Sequence, residues 1–188
     1  MKDRTLFIGV TGAQGVGKST FCRNFVAALR SGNRRGVTLL DGIRASIQAM
    51  GVPFGSESTS ETIFAVWTAH LERESRISDA IVVLDRCCID ALAYTRVLNI
   101  STPLERRMFE QIAALACGRL DLVIHLRLSS FFENKGAAHE TAELRAAVSR
   151  EIGTVLGGVR ARQLDLDAAS ADAIQTAVRT VGEMLDAR

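Results

Sequence analysis

Short apolar runs and longer amphipathic stretches alternate along this chain, and their lengths predict strands and helices in turn. The runs at 6–10, 37–40, 81–84 and 122–126 are continuous and rich in Val, Ile and Leu, which marks strands buried on both faces. A weaker run at 163–166 predicts a fifth strand. Between them, apolar positions recur at helical spacing, as in Phe21, Phe25, Val26 and Leu29. That spacing predicts helices over 18–30, 43–50, 62–78, 90–98, 103–116, 141–156 and 171–187. The polar, small-residue stretch 51–60 carries no period and reads as a mobile segment; 129–136 reads as a loop. Strands alternating with helices imply an α/β fold, a three-layer α/β/α sandwich with a mainly parallel sheet of about five strands. No repeat or linker interrupts the pattern, so 1–188 is expected to form a single domain, with a lid over 129–150.

Composition narrows the functional classes. With 188 residues and 47% hydrophobic content, the chain can bury an ordinary core. A net charge of +2 gives no long-range attraction for nucleic acid or membrane, and no apolar run reaches the length of a span. The first residues lack the pattern of a signal peptide, and a cytoplasmic location is expected. Cys22, Cys87, Cys88 and Cys117 form no C-x-x-C pair and are expected to be free, packed thiols. Lys2, Lys18 and Lys135 are the lysines among 23 cationic residues, the rest being arginine. Lysine is a compact point charge where arginine is a planar fork, so Lys18 and Lys135 draw attention.

Lys18 lies in Gly12-Ala13-Gln14-Gly15-Val16-Gly17-Lys18-Ser19, a full match to G-x-x-x-x-G-K-[ST] between a strand and a helix. Average composition would produce these four specified positions in about one chain in a hundred of this length, before the strand–helix context is counted. Glycines let the backbone wrap a phosphate chain closely, with N–H groups turned inward. The helix that follows adds its positive end, and Thr20 completes the nucleotide-binding stretch. Lys18 is placed for the β- and γ-phosphates and Ser19 for Mg²⁺, so ATP and Mg²⁺ are the expected ligands. Asp85, closing the third apolar run, is the second candidate for Mg²⁺, with Arg86 beside it for phosphate. An aspartate at a strand end is also a common turn former.

The motif gives nucleotide binding but not the reaction. Asn134-Lys135 is followed by Ala137-Ala138, without the aspartate that guanine recognition through N-K-x-D requires. Large remodelling ATPases need subdomains for which 188 residues leave little space.

Four segments together resemble the nucleoside and nucleotide kinase branch of P-loop proteins, in particular the nicotinamide riboside kinases and the small ATPase/kinase domains of NAD metabolism. They are the loop at 12–19, Leu40-Asp41-Gly42-Ile43-Arg44, Ala69-His70-Leu71-Glu72-Arg73-Glu74, and Leu84-Asp85-Arg86 running into Ile89-Asp90-Ala91-Leu92-Ala93-Tyr94. The resemblance implies ATP-dependent phosphoryl transfer to a nucleoside- or nucleotide-like small molecule. It makes Asp41 the acceptor's general base, where such kinases more often carry glutamate, and places Arg44 and Arg86 against substrate or phosphate. Lys18, Asp41 and Arg86 are then the catalytic set. Asp41 can equally cap the helix that starts near Ile43. Trp67, His70 and Tyr94 line the acceptor pocket on this reading, or serve the core. Arg127, Lys135, Arg145 and Arg150 form a closing lid or a solvated face, and Arg160 or Arg162 stacks on adenine. A regulatory ATP-binding module acting through a protein partner, and a kinase of a non-nucleoside, stay open as alternatives. No nucleic-acid or membrane partner is expected; a homodimer is left open.

Overall fold

The five apolar runs all become strands. A computed structural model describes residues 4–127 and 141–188, apart from 33, 35, 54, 76 and 78. The strands are β1 (Leu6–Thr11), β2 (Val37–Leu40), β3 (Ile81–Asp85), β4 (Leu122–Leu126) and β5 (Arg162–Leu166). Helices among the described residues are α1 (Lys18–Ser31), α2 (Ile43–Ala49), α3 (Ser60–Glu74), α4 (Cys88–Leu98), α5 (Pro103–Cys117), α6 (Ala142–Leu156) and α7 (Ala173–Asp186). All strand pairs are parallel, in the order β2-β3-β1-β4-β5.

Successive side chains of a strand point to opposite faces, so a strand apolar at every position must be covered twice. Leu6, Ile8 and Val10 of β1, Ile81 and Val83 of β3, and Leu122, Ile124 and Leu126 of β4 pack against Phe21, Phe25 and Leu29 of α1 and Ala177 and Val181 of α7. The alternate residues Val82, Leu84 and Val123 face α3 to α6 through Trp67, Ile89, Phe109 and Ile152. A smaller cluster of Ile43, Ile47, Ala65 and Ala69 seats α2 on α3. The result is a three-layer α/β/α sandwich.

The largest departure from the sequence expectation is at α3. α3 begins at Ser60, because Thr59 accepts from the Thr62 N–H and the Thr62 hydroxyl accepts from the Thr59 N–H, and it ends at Glu74. The stretch 51–60 contains a 3₁₀ turn at Gly55–Glu57, and the Thr62 hydroxyl is anchored on the Pro53 carbonyl at 2.9 Å. Residues 129–140 of the expected lid, Lys135 among them, lie outside the described residues; 142–150 are the first part of α6. All four cysteines are free, and Cys88 and Cys117 bring their Sγ atoms to 3.0 Å where α4 meets α5. Among the described residues no helix is long and apolar enough to cross a membrane.

β1 leads to α1 on one face of the sheet, while β3 leads to α4 on the other. Adjacent parallel strands whose connections depart to opposite faces leave a crevice beyond their carboxyl ends. Both the glycine-rich loop and Asp85-Arg86 lie at that crevice.

Candidate functional site

The loop from Gly12 to Gly17 owes its path to backbone conformations that a side chain would obstruct. Gly12 has φ 149°, and a Cβ there would lie 2.4 Å from the Leu126 carbonyl oxygen. Gly15 and Gly17 are left-handed, at φ 83° and 87°. A Gly12→Ala variant should therefore lose about 2–4 kcal/mol of stability, measured by urea titration, because strain and overpacking fall on the same residue. Gly17 is also the N-cap of α1, with no side-chain cap and no acidic residue in the first turn. The helix thus keeps free N–H donors and an uncompensated positive end for an anion.

Lys18 is buried beneath this loop. Its Nζ donates to the carbonyl oxygens of Gly12 and, at 2.7 Å, Ala13, and stands 4.0 Å from Asp90 Oδ1. The ammonium is held at the loop it would serve. Next to it, the Ser19 hydroxyl donates to Asp85 Oδ2 at 2.5 Å. Asp85 is buried, and its Oδ1 accepts no hydrogen bond from a described residue. A hydroxyl and a carboxylate with a spare oxygen suit Mg²⁺, which takes one or two protein oxygens and completes its shell with water and phosphate. Ser19 and Asp85 are the residues that would hold it; no group of three or more acidic, Cys or His side chains suited to a metal occurs among the described residues.

Arg73 organises the floor of the crevice, a role that the sequence reading did not assign. From α3 its Nη1 donates to the carbonyls of Leu40 at 2.9 Å and Asp85 at 3.0 Å, and its Nη2 to that of Arg86 at 2.7 Å. One guanidinium thus ties the carboxyl ends of β2 and β3. Glu74, 3.9 Å away and also close to His70 and Arg119, balances the buried charge. The clamp accompanies a left-handed turn at Arg86, φ 68°, which is unusual outside glycine. No local pattern in α3 marks Arg73 for this role, because the carbonyls it meets lie at the ends of two separate strands.

Two clefts meet at this floor. One is open and lined by Gln14, Gly15, Gly17, Lys18, Ser19, Thr20, Arg44 and Arg86. The other is largely apolar, walled by Ile43, Ile47, Ile63, Val66, Ala91, Tyr94 and Leu98 with Thr62, Ser58, His70 and Asp90. Gln14, Arg44 and Arg86 border both.

Other residues singled out from the sequence fall as follows. Ala13 and Val16 are buried in the core beneath the loop. Asp41 is exposed at the end of β2 and borders neither cleft. It does not cap α2 either, whose N-cap is the left-handed Gly42 without a side-chain cap. Trp67 is core: it stacks on Phe109 at 6.0 Å between centroids and donates from Nε1 to the Thr95 hydroxyl. His70 and Tyr94 reach the apolar cleft. Of the expected lid cations, Arg145 is buried and donates from Nε to the Gln14 carbonyl at 3.0 Å, bringing α6 onto the loop. Arg127 and Arg150 are exposed. Arg160 and Arg162 cannot stack on a base bound here, because they enter β5 at the opposite end of a parallel sheet, where Arg162 pairs with Glu183 at 2.8 Å.

Burial lowers the His70 pKa below the ordinary imidazole value, and proximity to Glu74 only partly offsets it; Arg73 lowers it further and Asp90 opposes. A histidine whose folded pKa is depressed favours the neutral form. The unfolded chain therefore binds the extra proton first, and stability falls as pH drops from about 7 through the unfolded value near 6.5. Thermal melts of His70→Gln should accordingly show a weaker loss of stability than wild type between about pH 7 and 5.

Comparison with known proteins gives a family and a likeness of fold. Residues 7–172 match the family model described as AAA domain. No curated protein matches the chain. Among solved structures, a NadR protein in complex with NR is similar, with a TM-score of 0.71 and 18% identity over 95% of this chain and 51% of that one. The chain spans about half the length of that relative, and the likeness at this identity is one of fold. With a glycine-rich phosphate loop in its expected place and the family pattern running from residue 7 to residue 172, the chain belongs to the AAA domain family of P-loop NTPases.

Proposed function

We propose that the chain is an ATP-dependent phosphotransferase acting on a nucleoside-like small molecule. The observation that carries this reading is the pair of clefts sharing Gln14, Arg44 and Arg86. A module that only hydrolyses ATP needs the phosphate loop and a water; a transferase needs a second, water-poor site abutting the first. The apolar walls suit a flat ring such as a base or pyridine. The similar NadR structure was solved with NR, which makes nicotinamide riboside the first acceptor to try.

On this reading the loop amides and Lys18 hold the β- and γ-phosphates, exchanging the loop carbonyls for phosphate oxygens. Arg44 and Arg86, at the junction, bind the oxygens that gain charge during transfer. Arg145 fixes the loop through Gln14 and keeps α6 against it. Mg²⁺ held at Ser19 and Asp85 would neutralise charge on the triphosphate.

An acceptor screen read by ADP release tests the proposal: nicotinamide riboside, the common nucleosides, nucleoside monophosphates, sugars, and no acceptor. Release stimulated at least tenfold by one ribonucleoside-type compound is expected. Release that no acceptor changes favours a regulatory ATPase working through a protein partner, and release driven by a sugar alone favours a non-nucleoside kinase.

A further inference from the structure

The apolar cleft contains a carboxylate with an unfilled role. Asp90 is 2% exposed and is the acidic residue on that wall among the described residues. Its Oδ2 accepts from the Cys87 N–H at 3.1 Å, which caps the first turn of α4. Its Oδ1 is buried, accepts no hydrogen bond from any described residue, and lies 4.0 Å from Lys18 Nζ. Leaving a buried carboxylate oxygen without a donor is costly, and a ligand hydroxyl would relieve that cost. A hydroxyl donating to Oδ1 would sit at the wall of the apolar cleft, beside the ammonium that lines the open cleft and would hold the terminal phosphate. Other candidates lack that placement. Asp85 is engaged by Ser19, Asp41 is exposed and borders neither cleft, and His70 Nδ1 is turned to Arg73 and Glu74.

We infer that Asp90 is the catalytic carboxylate that receives the acceptor's hydroxyl, and that it selects a hydroxyl acceptor over a phosphate acceptor. The inference rests on the phosphotransferase reading above. In the step, the acceptor oxygen forms a bond to the γ-phosphorus of ATP while the bond from that phosphorus to the β,γ-bridging oxygen breaks. ADP leaves with that electron pair, and the hydroxyl proton passes to Asp90 Oδ1. A phosphate monoester would instead bring its own negative charge against Asp90, which the low-dielectric cleft penalises.

The test uses the full chain with nicotinamide riboside and with a nucleoside 5′-monophosphate as acceptors, together with Asp90→Asn, Asp90→Glu and Asp41→Asn. Asparagine keeps the helix cap through its carbonyl and replaces the acceptor oxygen with a donor. Asp90→Asn should lower kcat on the nucleoside by about a hundredfold or more, with MgATP affinity within about threefold of wild type. Asp90→Glu should recover part of the rate, and Asp41→Asn should stay within about threefold of wild type. An Asp90→Asn enzyme with wild-type kcat, or Asp41→Asn showing the large loss instead, overturns the assignment. Should Asp90→Asn fail to fold, the wild type still decides: faster transfer to the monophosphate than to the nucleoside overturns it. Wild type that hydrolyses MgATP yet phosphorylates neither acceptor overturns the transferase reading and the assignment together, an outcome distinct from the others.

Discussion

Replacing Lys18 by alanine lowers MgATP turnover by about 10²–10³-fold or more, the loss that follows when a preorganised cation or donor is removed from developing charge. The side chain is buried, so its ammonium acts where solvent screens little. Substitution by arginine does not restore the rate: a planar fork cannot occupy the space between the Gly12 and Ala13 carbonyls that the compact ammonium fills. The variant also strips a donor from those carbonyls, which costs stability of about 1–3 kcal/mol. A melt run beside the turnover assay separates the two effects. A variant that folds and retains wild-type turnover contradicts the role given to Lys18.

Arg73→Met carries the largest expected loss of stability, about 3–5 kcal/mol by denaturant titration. Three carbonyls, of Leu40, Asp85 and Arg86, lose their donor together, and Glu74 loses one of the cations around it. Lysine recovers little, because one ammonium cannot span the ends of two strands as the guanidinium does. For a chain of this size the loss corresponds to a fall in Tm of about 10 °C or more. The same substitution frees the left-handed turn at Arg86, and with it the backbone on which Asp85 is mounted, so ATP turnover falls as well. A change under about 1 kcal/mol would show that the clamp is dispensable.

These two residues show where sequence reading succeeds and where it stops. The strands, the parallel sheet and the phosphate loop were legible because each is written locally. Continuous apolar runs need cover on both faces, and glycine at 12, 15 and 17 permits backbone angles that other residues resist. Thr59 and Thr62 also carry a local capping signal, one that only the structure brought out. The clamp was not legible, because Arg73 reaches carbonyls 33, 12 and 13 residues away, and nothing in the helix containing it names those partners. Arg145 reaches Gln14 across 131 residues, so its separation from Arg127 and Arg150 depends on how α6 lands. Trp67 and His70, three apart on one helix, divide between core and cleft according to which neighbour each meets, Phe109 or the pocket wall. Asp41 and Asp90 present the same difficulty. Asp41 follows β2 and Asp90 lies in the first turn of α4, and only the fold leaves one exposed and buries the other beside Lys18.

Phosphoryl transfer between two adjoining clefts leaves a distinct product, which phosphorus NMR of one reaction resolves. With ATP, Mg²⁺ and nicotinamide riboside, a new phosphomonoester resonance is expected that grows in step with ADP and is absent with Lys18→Ala. Growth of inorganic phosphate alone, at a rate the acceptor does not change, would contradict such transfer.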